Sequence, residues 1–153
     1  MPKIDLASAP LVTGSKYPQP FDEPCRTREN RQLGVAAGLT QFGVNLTRLP
    51  PGAWSSQRHW HAREDELVYV LEGEVTLVDD LGEHAMRAGD CAGFKAGDRN
   101  GHHLQNRSSR DALVLTVGTR DDTDSGEYPD IDMKFLAGRY SGGGYAHKDG
   151  TRY

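Results

Sequence analysis

The chain has 153 residues, with 18 Lys and Arg against 22 Asp and Glu for a formal net charge of −4. That length suits one domain with arms rather than two full cores. The mild acidity argues against an electrostatic nucleic-acid binder, which carries a basic face. No run approaches the ~20 apolar residues of a membrane span. Met1-Pro2-Lys3-Ile4-Asp5 has no apolar stretch of the secretory type, so a cytoplasmic protein is expected. Cys25 and Cys91 lie far apart without a CxxC and are expected to be free thiols.

Residues 1–30 carry Pro10, Pro18, Pro20 and Pro24 and no sustained period, which predicts an extended N-terminal arm. Residues 31–120 are expected to form the domain proper. Within it, Phe42, Val44 and Leu46 alternate with Gly43, Asn45 and Thr47, a period-two strand ended by Pro50-Pro51-Gly52. Leu67-Val68-Tyr69-Val70-Leu71 is a second β-prone run that stops at Gly73. Val75 to Val78 leads through Asp79-Asp80-Leu81-Gly82 into His84-Ala85-Met86, the pattern of a hairpin. Ala112 to Val117 is the last apolar run. Many short strands, glycine turns and no long helix predict an all-β sandwich or barrel.

Residues 121–153 form a tail of different character. Asp121, Asp122, Asp124, Glu127, Asp130 and Asp132 read as a solvated acidic loop, without the spacing of a calcium-binding loop. Gly142-Gly143-Gly144-Tyr145 is expected to be a flexible or draped segment rather than regular structure.

The chemistry concentrates in the β-rich region. On a strand, His59 and His61 share a face while Trp60 turns away. Glu66 follows His61 by an odd offset, so Arg63-Glu64-Asp65 is expected to be a turn or bulge that restores its phase. With Glu66 inward, Val68 and Val70 form an apolar wall beside it, and His102 closes the set from a distant strand. Imidazoles and a carboxylate converging inside a β-structure are costly unless something satisfies them. A divalent transition metal does so, and three nitrogens with one oxygen suit Fe, Mn, Zn, Ni or Co.

The spacing resembles that of the cupin superfamily. Pro51-Gly52, His59-Trp60-His61, Glu66 and Gly73 are similar to its first motif, G-x5-H-x-H-x3,4-E-x6-G. Gly89, Gly97, His102 and Asn106 are similar to its second, G-x5-P-x-G-x2-H-x3-N, with fifteen residues between the two. Six residues rather than five separate Gly52 from His59, Lys95 stands at the usual proline, and four residues rather than two separate Gly97 from His102. The last two departures leave His102 and His103 both open as the fourth ligand. His102 is preferred because H-x3-N lands on Asn106 and because Leu104 continues its face, which turns His103 outward. The resemblance, to small bacterial single-domain cupins, implies a jelly-roll β-barrel, one metal held by His59, His61, Glu66 and His102, and a homodimer.

Other residues have plainer readings. Trp54, Trp60 and Tyr69 are expected in packing, Cys91 in the core, and His84 at the surface. Arg58 and Arg63 suit an anionic ligand or a solvated exterior. His147 lies in the tail. No general base stands out, and Val68, Val70 and Leu104 are the named neighbours of the site. Two functions fit: a metal-dependent enzyme on a small polar molecule, of isomerase, dioxygenase or lyase type, or a non-catalytic metal-bearing module that binds a small ligand.

Overall fold

Alternation along Phe42–Leu49 places Asn45, Thr47 and Leu49 on one face, and that face turns inward, with Thr47 and Leu49 buried. The computed structural model describes residues 3–153, so Met1 and Pro2 of the N-terminal stretch read above lie outside the described residues. The strands are β1 (Leu11–Thr13), β2 (Glu29–Gln32), β3 (Phe42–Leu49), β4 (Glu66–Glu72), β5 (Glu74–Asp79) and β6 (Gly82–Arg87). They continue with β7 (Cys91–Phe94), β8 (His103–Gln105), β9 (Ala112–Thr119), β10 (Gly126–Tyr128), β11 (Met133–Phe135) and β12 (Tyr145–Ala146). A single helical turn, α1 (Leu33–Ala36), lies against β3.

The larger sheet has the order β1-β2-β3-β9-β4-β7, and a smaller one has the order β6-β5-β8. All pairings in both are antiparallel. The two sheets form the all-β sandwich that the strand pattern predicts, with the jelly-roll fold that the cupin resemblance implies. Their shared core contains Leu49, Val68, Val70, Val75, Leu77, Met86, Leu104 and Val114, all buried. At the junction of β4 and β5, Gly73 adopts φ +78°, and a Cβ there would sit 2.7 Å from the Asp111 carbonyl oxygen. The glycine that punctuates the sequence is thus needed for both its backbone conformation and its space.

The flanks are more ordered than their composition suggests. β1 and β2 pair with each other and extend the larger sheet beyond β3. In the tail, β10, β11 and β12 form a third sheet carrying a second core of Tyr128, Met133 and Phe135, packed against Tyr17 and Phe21 of the N-terminal segment. Tyr145, read above as part of a draped segment, belongs to strand β12. Two other readings also change: Cys91 is exposed rather than in the core, and Tyr69 lies exposed on the outer face of β4. Both cysteines are free thiols. Among the described residues, no helix is long and apolar enough to cross a membrane.

Candidate metal centre and its cavity

Two irregular stretches position the histidines. After β3, the chain runs antiparallel to β8 as far as His59, with Ser55 N–H donating to Leu104 O (2.8 Å) and His59 and His102 bridging through both backbone bonds. Four residues advance from Ser55 to His59 while only two separate Leu104 from His102. Ser56, Gln57 and Arg58 therefore bulge out of register. That bulge accommodates the extra residue between Gly52 and His59, and its Gln57 carbonyl accepts a hydrogen bond from His59 Nδ1 (2.9 Å).

The chain then switches partner. Trp60 N–H donates to Glu127 O (3.3 Å) and Ala62 N–H to Ser125 O (2.8 Å), so His61 is held beside β10. Gly126 makes this approach feasible, since a Cβ there would overlap the Trp60 carbonyl oxygen and the Phe135 ring. Residues 62–65 bend, and β4 starts at Glu66 with its carboxylate toward the histidines.

Hydrogen bonding fixes the imidazole tautomers. His59 Nδ1 faces a carbonyl, which can only accept, so it carries the proton. His61 Nδ1 lies 2.7 Å from the buried Asp124 carboxylate and likewise donates. In neutral rings both Nε2 atoms then carry lone pairs, and they face each other at 3.1 Å. Glu66 Oε2 is 3.8 Å from His61 Nε2, and Glu66 Oε1 is 3.5 Å from His102 Nε2. His102 is stacked face to face on Phe94, with ring centroids 3.4 Å apart, and neither of its buried nitrogens has a hydrogen-bond partner among the described residues.

Two lone pairs at hydrogen-bond distance repel unless a cation lies between or beside them, and an orphaned buried imidazole calls for the same remedy. The donor set of neutral nitrogens and one carboxylate fits a divalent transition ion. Burial first, and then the neighbouring His61 and His102, push His59 well below the ordinary histidine pKa and keep it uncharged at neutral pH. Burial works against ionisation of Glu66, but the facing His102 and the other two imidazoles outweigh it and hold its pKa down to about 2.

His59, His61 and Glu66 each offer an atom within 4.8 Å of the others and could hold a metal ion. The structure brings His102 alongside them and turns His103 away. His103 does not face solvent, as the alternation suggested. It is buried edge-on against Trp54, its Nδ1 donates to Ser56 O (2.9 Å), and its Nε2 lies 3.0 Å from Gln105 Nε2.

A second acidic group was not foreseen. Asp124, read above as part of a solvated loop, is fully buried and accepts from both His61 Nδ1 and the Arg63 backbone N–H (2.7 Å). Burial raises its pKa, but these two hydrogen bonds prevail and keep it below the usual carboxylate value. Glu64, from the supposed turn, is also buried and accepts from Tyr140 Oη (2.6 Å) and Arg139 (3.2 Å). His61, Glu64 and Asp124 are close enough to hold an ion, yet the Arg139 guanidinium already supplies positive charge there, 3.2 Å from Glu64 and 3.8 Å from Asp124.

The orphaned cluster opens into a cavity of about 600 Å³ whose wall includes His59, Glu66, His102 and Tyr128. The apolar surroundings expected from Val68, Val70 and Leu104 are only part of the picture. One register row across the larger sheet runs Gln32, Asn45, Thr116 and Val68 and lines this space. Among the described residues, the side chains of Gln32, Asn45 and Thr116 form no hydrogen bonds with protein groups, whereas the adjacent Thr47 donates to Asn30 (3.0 Å).

Elsewhere, Arg58 is committed to Asp130, Asp80 and the Gly101 carbonyl, leaving it neither free for a ligand nor solvated. Arg63 has an exposed side chain, His84 is at the surface beside Asp79, and His147 pairs with Asp132 away from the cavity.

The Cupin domain profile matches residues 45–118, the span that holds both histidine stretches and Glu66. A sugar phosphate isomerase from a cupin superfamily, of Silicibacter pomeroyi, is 49% identical over 99% of this chain and 96% of its own, with a TM-score of 0.92. A candidate sugar phosphate isomerase of Acidithiobacillus ferrooxidans is 31% identical over 78% of this chain and 74% of its own, with a TM-score of 0.71. The polyketide cyclase RemF of Streptomyces resistomycificus shares the fold at 18% identity, over 79% and 80% of the two chains, with a TM-score of 0.62. No curated protein matches the sequence. Motif spacing, jelly-roll topology and a relative alike along nearly its whole length agree: the chain belongs to the cupin superfamily.

Proposed function

We propose that this cupin is a metal-dependent enzyme of the isomerase type acting on a small polyhydroxylated molecule. The reading rests on one observation: His59, Glu66 and the orphaned His102, gathered with His61 about its Nε2, line a roomy cavity that also carries unengaged hydrogen-bonding side chains. His59, His61, Glu66 and His102 would hold the ion. When bound, a divalent transition metal supplies Lewis-acid polarisation of a substrate oxygen.

The chain's own residues do the rest. Gln57 and Asp124 orient the His59 and His61 rings through Nδ1, and Phe94 fixes the plane of His102. Gln32, Asn45 and Thr116 offer donors and acceptors to substrate hydroxyls along the sheet, while Val68 and Phe94 present apolar surface to the carbon chain. The resemblance to the Silicibacter pomeroyi isomerase, at 49% identity along almost the entire chain, favours isomerisation over the dioxygenase and lyase types.

The test is turnover by metal-loaded protein on a panel of small sugar phosphates, followed by NMR of substrate and product. The proposal expects an aldose–ketose or epimer conversion that disappears in His61→Ala. Saturable ligand binding without conversion would instead make the protein a binding module. The outer face of the larger sheet carries exposed Phe42, Leu67, Tyr69 and Leu71, and we take it as the surface of a homodimer. Light scattering should give a dimer mass for the protein and a monomer mass for Leu67→Asp; a monomeric parent protein would refute this.

A further inference from the structure

We propose that Arg28 and Lys16, with the hydroxyl of Ser15, form an anion subsite for a phosphate monoester at the end of the cavity built by the N-terminal segment. This deepens the proposed function and rests on it, because the subsite would hold one end of the substrate while the metal centre takes the other.

The charge balance of the cavity points there. Its wall carries three cations, Lys16, Arg28 and Arg139, against one carboxylate, Glu66, which already belongs to the candidate metal set. Arg139 is neutralised by Glu64 and Asp124. Lys16 and Arg28 have no carboxylate partner among the described residues. Arg28 is nonetheless built in: its Nε donates to Gly14 O (3.0 Å), its Nη1 donates to Ser55 O, and Gly14 N–H donates back to Arg28 O (2.9 Å). The exchange with Gly14 continues the β1–β2 ladder and holds the guanidinium at the Gly14 carbonyl, one residue before Ser15 and Lys16 in the chain, and all of these line the cavity. Among the described residues, Nη2 is left without a protein acceptor and the buried Ser15 Oγ has no hydrogen-bond partner. A fixed guanidinium with its Nη2 donors free, an ammonium and a hydroxyl suit the several terminal oxygens of a phosphate better than one carboxylate.

The placement also suits a small substrate. Tyr17, next to Lys16, meets Tyr128 with ring centroids 5.5 Å apart, and Tyr128 meets His59 at 5.7 Å. The rings of Tyr17 and Tyr128 thus stand between the two ends, with the Gln32, Asn45 and Thr116 row also lining the cavity.

The experiment is calorimetric titration of the full chain with inorganic phosphate, both metal-loaded and after chelation. The protein should bind phosphate in both states. Lys16→Ala and Arg28→Lys should each weaken that binding roughly tenfold or more, as expected for loss of a charge-assisted contact, with metal content unchanged. Lys16 is exposed and its side chain makes no hydrogen bond or ion pair among the described residues, so its variant stays informative if Arg28 proves necessary for folding. Phosphate affinity equal to that of the parent in Lys16→Ala would overturn the subsite, as would phosphate binding that vanishes on chelation. Absent turnover with the phosphate result intact would instead count against the isomerase reading alone.

Discussion

Two buried polar clusters meet at His61, one on each ring nitrogen. On the Nδ1 side, Asp124 and Glu64 are bonded to His61, the Arg63 backbone, Tyr140 and Arg139, so every carboxylate there has its donors and a compensating cation. On the Nε2 side, His59, Glu66 and His102 gather about His61 Nε2, and both His102 ring nitrogens are unpaired among the described residues. The residue types are nearly the same. Completeness of hydrogen bonding distinguishes a cluster that serves the fold from one that waits for an ion.

The sharpest way to break this contrast is to remove an imidazole. His59→Ala and His61→Ala should each abolish metal retention through desalting, whereas His103→Ala should retain the metal, by elemental analysis of the purified variants. Equal loss in all three would mean that the ion is not held by the Nε2-side cluster. Next in size is Asp124→Asn, which leaves the shape but weakens the hold on His61 Nδ1. Metal affinity measured by chelator competition should fall roughly 10–100-fold, the usual effect of losing a group that orients a ligand. Unchanged affinity would show that Asp124 serves folding alone.

The smallest effect should come from Arg139→Gln, which strips the cation from the self-contained cluster. Chemical denaturation should show a loss of about 1–2 kcal/mol, below that for a fully enclosed ion pair because the arginine is partly exposed. Metal stoichiometry should not change. Metal loss with unaltered stability would reverse the roles assigned to the two clusters.

Much of this architecture was legible in the chain. The strands at Phe42–Leu49, Glu66–Glu72, Glu74–Asp79, Gly82–Arg87 and Ala112–Thr119 announce themselves by alternation, β-branched residues and glycine turns. The His59-Trp60-His61 spacing, with Glu66 after a bend, needs only the period of a strand. What escaped depends on tertiary pairing. Six carboxylates between Asp121 and Asp132 look like solvated surface, and local composition does not mark Asp124 as the one that meets a histidine from sixty-three residues away. A signal was present nonetheless. Tyr128, Ile131, Met133 and Phe135 place apolar side chains among those acids, which a fully solvated loop would have no reason to carry. The face of β3 was similarly ambiguous: Val44 and Leu46 look like the core side, yet Asn45 and Thr47 face inward because that side lines a polar cavity.

The central claim, that the Nε2 side of His61 is an ion site, is most directly tested by X-ray absorption at the metal edge of metal-replete protein, with stoichiometry from elemental analysis. The account predicts about one equivalent per chain with a first shell of nitrogen and oxygen showing imidazole scattering, lost in His61→Ala. Protein that takes up no metal, or binds it with sulfur scattering or with the shell intact in His61→Ala, would contradict it.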